Sequence, residues 1–425
     1  MSPLSRPWLS VAVLCSLSPA LFNTLALAAP QHIGGTESSV GQAVYFITNG
    51  DSNAVVALPI NSNGQLSPGT VTPTNGAGAI ALNGNNEPAT PDALASQSAL
   101  AIAGNVRCDS ISALLAIFAV NAGSTTLSML AISPSDPTQL HLVGKPVPIP
   151  GDFPNTVAAS KKHNIVCVGT SGALAGVSCG RFSVKDGLDA MDELRSFDLG
   201  RKTPPVATVD TVSQVFFSDT EDALFVTIKG NPAANKTTFF ASFSVENDGG
   251  PCSRNVGVSR IEHRSTPKDT MVLFGSQPIP GTQNVFVTDA AFGVAILAID
   301  AYRGKATTVA TREIPGQAAS CWVTISPATG TAFVADGGVN RLVELSVRDA
   351  SILSVLDLSC NGDPGLLDLS AAGDFVYALS PGNGTTPAAI TVVRVSSNHG
   401  LPVMVQHFQL DGVADKRAMG MAVLL

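Results

Sequence analysis

The sequence predicts an all-β fold, a seven-bladed propeller of four-stranded blades, on three observations. A short apolar phrase ending in Ile or Val recurs seven times, at residues 54–60, 126–132, 176–184, 239–245, 294–299, 341–347 and 389–395. A second strand-like run precedes each copy, and polar or Gly-bearing turns follow, as at Asn63-Gly64 and Asp186-Gly187. Self-similarity at roughly 50 residues in a strand-rich chain marks units that bury their faces only by stacking on neighbours.

The companion runs are residues 44–49, 115–121, 164–170, 223–229, 284–289, 331–336 and 375–380. Turn chemistry such as Asn49-Gly50 and Gly337-Gly338 folds a companion back into its phrase as a hairpin. Smaller-residue runs come before the companions, at 99–103, 156–159, 212–216, 271–274, 321–325 and 366–369. More polar runs come after the phrases, at 141–149, 191–199, 256–263, 307–314 and 403–410. Small inner strand, two apolar middle strands and polar outer strand is the gradient that a radial blade requires. No inner strand precedes residue 44, and residues 417–425 are left over at the other end. The C-terminal strand is therefore expected to complete the first blade and close the ring, since an open array would leave two bare edges.

Residues 1–29 read as a secretory signal peptide: Arg6, a mostly apolar run over 9–27, and Ala26-Leu27-Ala28 as the small-residue cleavage site. Residues 30–42 are a polar segment, and 43–425 form one propeller domain. No later run approaches the ~20 apolar residues of a spanning helix. Charged residues make up 13% and the net charge is −8, which argues against a nucleic-acid surface. The expected location is outside the cell, secreted or held at the cell wall or surface.

Of seven cysteines, Cys15 leaves with the signal peptide. Folding the third hairpin about Ala173 sets Cys167 opposite Cys179, a disulfide position. Cys321 and Cys360 bracket the sixth blade and form the second expected pair, with Cys108 and Cys252 left over. No Cys-x-x-Cys pair or His–Cys cluster stands at zinc spacing, so neither metal nor cofactor is expected. The chain also lacks a Gly-x-Ser-x-Gly elbow, a phosphate loop and a dinucleotide fingerprint. Two N-glycosylation sequons, Asn235-Lys236-Thr237 and Asn383-Gly384-Thr385, fall in loops between middle strands.

The pattern of companion, turn, phrase and Gly-x-Leu, as in residues 44–49, Ile60 and Asn63-Gly64-Gln65-Leu66, resembles the 6-phosphogluconolactonase-like propellers. That group includes the 3-carboxymuconate cyclases and their secreted fungal, cyclase-like glycoproteins. The likeness covers about residues 40–425 and implies a seven-bladed propeller with either lactone chemistry or an extracellular glycoprotein role. The family's cyclases imply a His, Arg and Glu set in the channel, which does not map onto this chain. Its densest such run, Arg260 to Arg264, falls on an outer strand.

Lactone chemistry needs an acid/base group and a cation for the developing oxyanion. At the mouth of the channel the inner-strand starts offer Asn155, Asp210, Lys416 and Arg417, and the hairpins offer Asn49, Lys229, Asp289 and Asp336. In the catalytic reading Lys229, Lys416 and Arg417 hold an anion while Asp210 or Asp336 moves the proton. In the competing reading these Asn and Asp residues serve their own turns. Scarce charge on the inner strands favours a binding glycoprotein, whose ligand is a matrix protein, a carbohydrate or a small lactone. A lactone hydrolase or lactonising cyclase is the alternative. No oligomerisation signal is evident.

Overall fold

The computed structural model describes residues 41–105, 114–247, 256–395 and 400–425. The signal peptide, most of the polar segment 30–42, Cys108 and Cys252 lie outside the described residues. Seven antiparallel sheets follow one another along the chain. Blade 1 comprises Met419–Leu424, Ala43–Ile47, Ala54–Pro59 and Thr70–Pro73, from inside to outside. The inner strands of blades 2 to 7 are Leu100–Asn105, Pro154–Ser160, Val212–Phe217, Leu273–Pro278, Ser320–Ile325 and Leu369–Ala372.

Middle strands such as Ala43–Ile47 and Ile165–Thr170 are buried at every position, because neighbouring blades cover both faces. The outer strand Ala306–Glu313 instead alternates between half-buried and exposed residues along much of its length. That contrast reproduces the radial gradient of the sequence. Adjacent inner strands are tied by polar side chains that accept the next blade's amides. The Val215 amide donates to Thr156 Oγ1 at 3.2 Å, Ser276 to Gln214 Oε1 at 2.5 Å, Ile325 to Gln277 Oε1 at 2.8 Å and Ala371 to Thr324 Oγ1 at 3.2 Å.

The C-terminal strand closes the ring as expected. Ala43 pairs with Leu424, Val44 with Val423 and Tyr45 with Ala422. The strand begins at Met419, and the seam is pinned by Asp368, which accepts the Leu369 amide at 2.9 Å and lies against the Ser98 and Met421 amides.

Three expectations are corrected. The outer strands of blades 2, 3 and 4 are each split into two short pieces. In blade 3 Asp192 fills the gap: its carboxylate accepts the Cys179 amide at 2.8 Å and its own amide donates to the Cys179 carbonyl at 2.7 Å. The inner strand of blade 7 starts at Leu369, three residues late, because Asp368 adopts φ 83° and breaks the extended run. The third concerns cysteines. Cys167 and Cys179 are bonded in register, with Cα atoms 4.1 Å apart. Cys321, however, is a buried free thiol, and Cys360 is disulfide-bonded without it. Cys321 lies on an inner strand, whereas Cys360 sits in a 3-10 turn just beyond the outer strand Ile352–Asp357. The two bracket the whole radial width of the blade, too far for a bond.

The stretch between Pro73 and Leu100 contains isolated bridges but no strand. Rather than looping over the surface, its final part enters the channel.

Candidate functional site in the central channel

Residues 91–98 run into the inner end of the propeller and are gripped from several blades. Three successive carbonyls accept side-chain donors: Leu94 from Asn155 Nδ2 at 3.3 Å, Ala95 from Lys229 Nζ, and Ser96 from Trp322 Nε1 at 3.2 Å. The Gln97 amide donates to the Ser213 carbonyl at 3.0 Å, and its side chain exchanges hydrogen bonds with the Val323 backbone at 2.9 and 3.3 Å. Ser96 Oγ donates to the Asn155 carbonyl at 2.6 Å. Buried backbone needs such partners, and here the inner strands supply them.

Ionisable groups gather around this segment. Lys229 directly follows the second strand of blade 4 (Ala223–Ile228), is 2% exposed, and holds its ammonium 4.4 Å from the centre of the Phe274 ring. Burial pulls its pKa down to about 8, against the opposing charge of Asp92. Asp92 is half-buried as a residue, yet its Oδ1 is fully buried and has no hydrogen-bond partner. Burial pushes its carboxyl up to about 6, while Lys229 and the Ala95 amide draw it back down. Asp368 is pushed up to about 7 by burial, with the Asp92 charge adding to the shift. The Cys321 thiol borders the same core and burial raises it well above its ordinary value, which leaves it unreactive. Two carboxyls and an amine drawn toward neutrality in one core is the pattern that acid/base sites show.

The structure disperses most of the residues expected at the mouth. Asp289 accepts the amides of Met271 (2.6 Å), Val272 (3.0 Å) and Ala291 (3.1 Å). Asp336 does the same in blade 6 for Ala318, Ala319 and Gly338 at 2.9, 2.9 and 3.0 Å. Both tie the hairpin to the approach of their own inner strand. Asn49 clamps Ala79 through both ends of its amide, at 2.8 and 3.2 Å. Asp210 is neutralised by Arg201 at 2.7 Å, with Asn231 at 2.9 Å and Lys236 at 3.5 Å.

Arg417 is held by Asp415 at 3.0 Å and Asp51 at 3.3 Å in an open cleft of ≈ 480 Å³ that reaches Val71 on the outer strand of blade 1. That places it toward the rim, and Lys416 beside it is exposed. Of the expected residues, only Lys229 and Asn155 reach the channel segment. A second cleft of ≈ 380 Å³ opens along four inner strands, lined by Ala101, Val157, Val215 and Gln277 among others. It carries Asp219 and Glu221 but no basic side chain, and so does not suit an anion.

Sequence reasoning missed Asp92, Asp368 and the segment 91–98. One signal was available: the interval from Ala54 to Thr126 is the longest between successive recurring phrases.

No family model matches the chain, and no curated protein matches its sequence. Solved structures do share its fold. A putative 6-phosphogluconolactonase from Bacteroides fragilis aligns over 93% of this chain and 100% of its own, with TM-score 0.58 and 10% identity. A periplasmic gluconolactonase from Pseudomonas aeruginosa aligns over 90% and 99%, with TM-score 0.57 and 12% identity. A hypothetical selenium-binding protein from Sulfolobus tokodaii aligns over 90% and 93%, with TM-score 0.58 and 9% identity. At these identities the likeness establishes the propeller architecture.

Proposed function

We propose that the protein acts on a small lactone, opening or closing the ring at the channel site. The observation that carries this reading is the gathering of Asp92, Asp368 and Lys229, with pKa values of about 6, 7 and 8, in one buried core. In hydrolysis the Lys229 ammonium donates to the carbonyl oxygen and stabilises the oxyanion. Asp92 takes the proton of the attacking water as the new C–O bond forms, then returns it to the ring oxygen as the old C–O bond breaks. Ring closure is the reverse. Asp368 lies deeper and positions the segment that carries Asp92. Two structures that share the fold are described as lactonases, which agrees with this chemistry.

Turnover of glucono-δ-lactone and a muconolactone by purified protein tests the reading. Lys229→Met and Asp92→Asn should each lose about 10²-fold or more. Asp210→Asn and Arg417→Ala should stay within a few-fold, since neither residue reaches the segment. Absence of turnover, or turnover indifferent to Lys229→Met, would sink it.

A second reading, an extracellular binding glycoprotein, draws support from segment 91–98 itself, whose carbonyls already occupy the donors of the channel. Export is supported by the leader-like residues 1–29. Glycosylation is supported by the exposure of Asn235 and Asn383. The Asn383 Oδ1 accepts the Thr385 and Thr386 amides at 2.9 and 2.8 Å, which turns its amide nitrogen outward. Glycan mapping by mass spectrometry decides both sequons.

A further inference from the structure

We infer that residues 94–97 are an intramolecular ligand of the channel site, and that the Ala95 carbonyl holds the place on Lys229 that a substrate carbonyl takes. The inference rests on the lactone reading for the identity of the substrate, but not for the existence of the gate.

Three features of the segment set it apart from an ordinary packed loop. Its carbonyls are received in sequence by donors from blades 3, 4 and 6, as a bound peptide's would be. The acceptor on Lys229 is a neutral carbonyl, so an ester carbonyl of a substrate is a like-for-like replacement. The backbone is also strained: Ala95 has φ 50° and Ser98 φ 65°, left-handed values that non-glycine residues avoid. Such conformations persist only where the surroundings enforce them, and at Ala95 the contact with Lys229 is the one that a competing ligand would take over. Asp92 lies two residues before this stretch, and its buried, unpartnered Oδ1 is an acceptor awaiting a hydroxyl donor. A substrate carbonyl on Lys229 and the attacking water on Asp92 together satisfy both groups.

Seven hydrogen bonds hold residues 94–97 in the channel. The Gln97 side chain supplies two of them, both to Val323. Removing them in Gln97→Ala shifts the opening equilibrium by about fivefold per net hydrogen bond lost. The experiment labels amines of the full-length protein with acetic anhydride and follows Lys229 by peptide mass spectrometry, with circular dichroism to verify the fold. Lys229 in Gln97→Ala should label about tenfold or more faster than in the wild type, and glucono-δ-lactone at saturation should slow labelling in both.

If Gln97→Ala does not fold, hydrogen exchange of the unaltered protein replaces it. The Gln97 amide, bonded to the Ser213 carbonyl, should exchange about tenfold or more faster than the Val215 amide of the neighbouring inner strand. Equal labelling of Lys229 in a folded Gln97→Ala, or equal exchange of the two amides, would show a permanent axle and overturn the inference. Faster labelling with no lactone turnover would keep the gate and remove the lactone reading.

Discussion

Trp322 Nε1 donates to the Ser96 carbonyl at 3.2 Å, although the two residues are 226 positions apart. The bond joins the channel segment, which connects blades 1 and 2 along the chain, to the inner strand of blade 6. Trp322 also packs edge-on against Phe274, with ring centroids 5.1 Å apart. Trp322→Phe would keep most of that packing and leave the Ser96 carbonyl buried without a donor. The expected cost is about 1–3 kcal/mol, read as a lower denaturant midpoint with an unchanged slope. An unchanged midpoint would mean that the segment contributes nothing to the fold.

Ring closure gives the second prediction. Deleting residues 419–425 would bare the edge of Ala43–Ile47, a strand buried at every position. The truncated protein should aggregate or fail to accumulate. A soluble, truncated protein with unchanged melting would contradict the closed ring.

The third prediction concerns pH. Asp92 and Asp368 have folded pKa values raised to about 6 and about 7, above those of the unfolded chain. Between about pH 4 and pH 7 the folded state therefore binds more protons, and these carboxyls lose stability as pH rises. Lys229 is lowered to about 8, so the folded state binds fewer protons above that value and its contribution recovers toward pH 10. The cluster thus contributes least near pH 7–8. Asp368→Asn removes one term, so its stability relative to wild type should improve as pH rises from 4 to 7, by up to roughly 1 kcal/mol per pH unit. Urea midpoints at pH 5 and pH 8 check this; a constant difference would refute it.

The fourth concerns thiols. Native protein should not label at Cys321, and denatured, unreduced protein should label there but not at Cys167 or Cys179. Replacing the Cys167–Cys179 pair by serines should cost about 3 kcal/mol for a loop of this length. Peptide mapping that joined Cys167 to any other cysteine would overturn the hairpin register.

Much of this was legible in the sequence. Seven phrases and their companions fixed the blade count because strand burial on both faces demands continuous apolar runs, and such runs repeat visibly. Cys167 and Cys179 were paired from a hairpin fold alone, since the register of a short hairpin is a local property. Closure by the C-terminal strand followed from counting strands.

The site was not legible in the same way. Asp289 and Asp336 stand at equivalent ends of their strands and look poised for chemistry, yet each is consumed by three backbone amides that only the folded blade brings to it. Asp92 carries no local mark, because its shifted pKa comes from burial beside Lys229 on another blade. The sequence by itself determined the repeating sheets, since periodic burial is written residue by residue. Only the tertiary structure decided what fills the channel: a low-dielectric core is made by distant strands converging, and no spacing along the chain encodes that convergence.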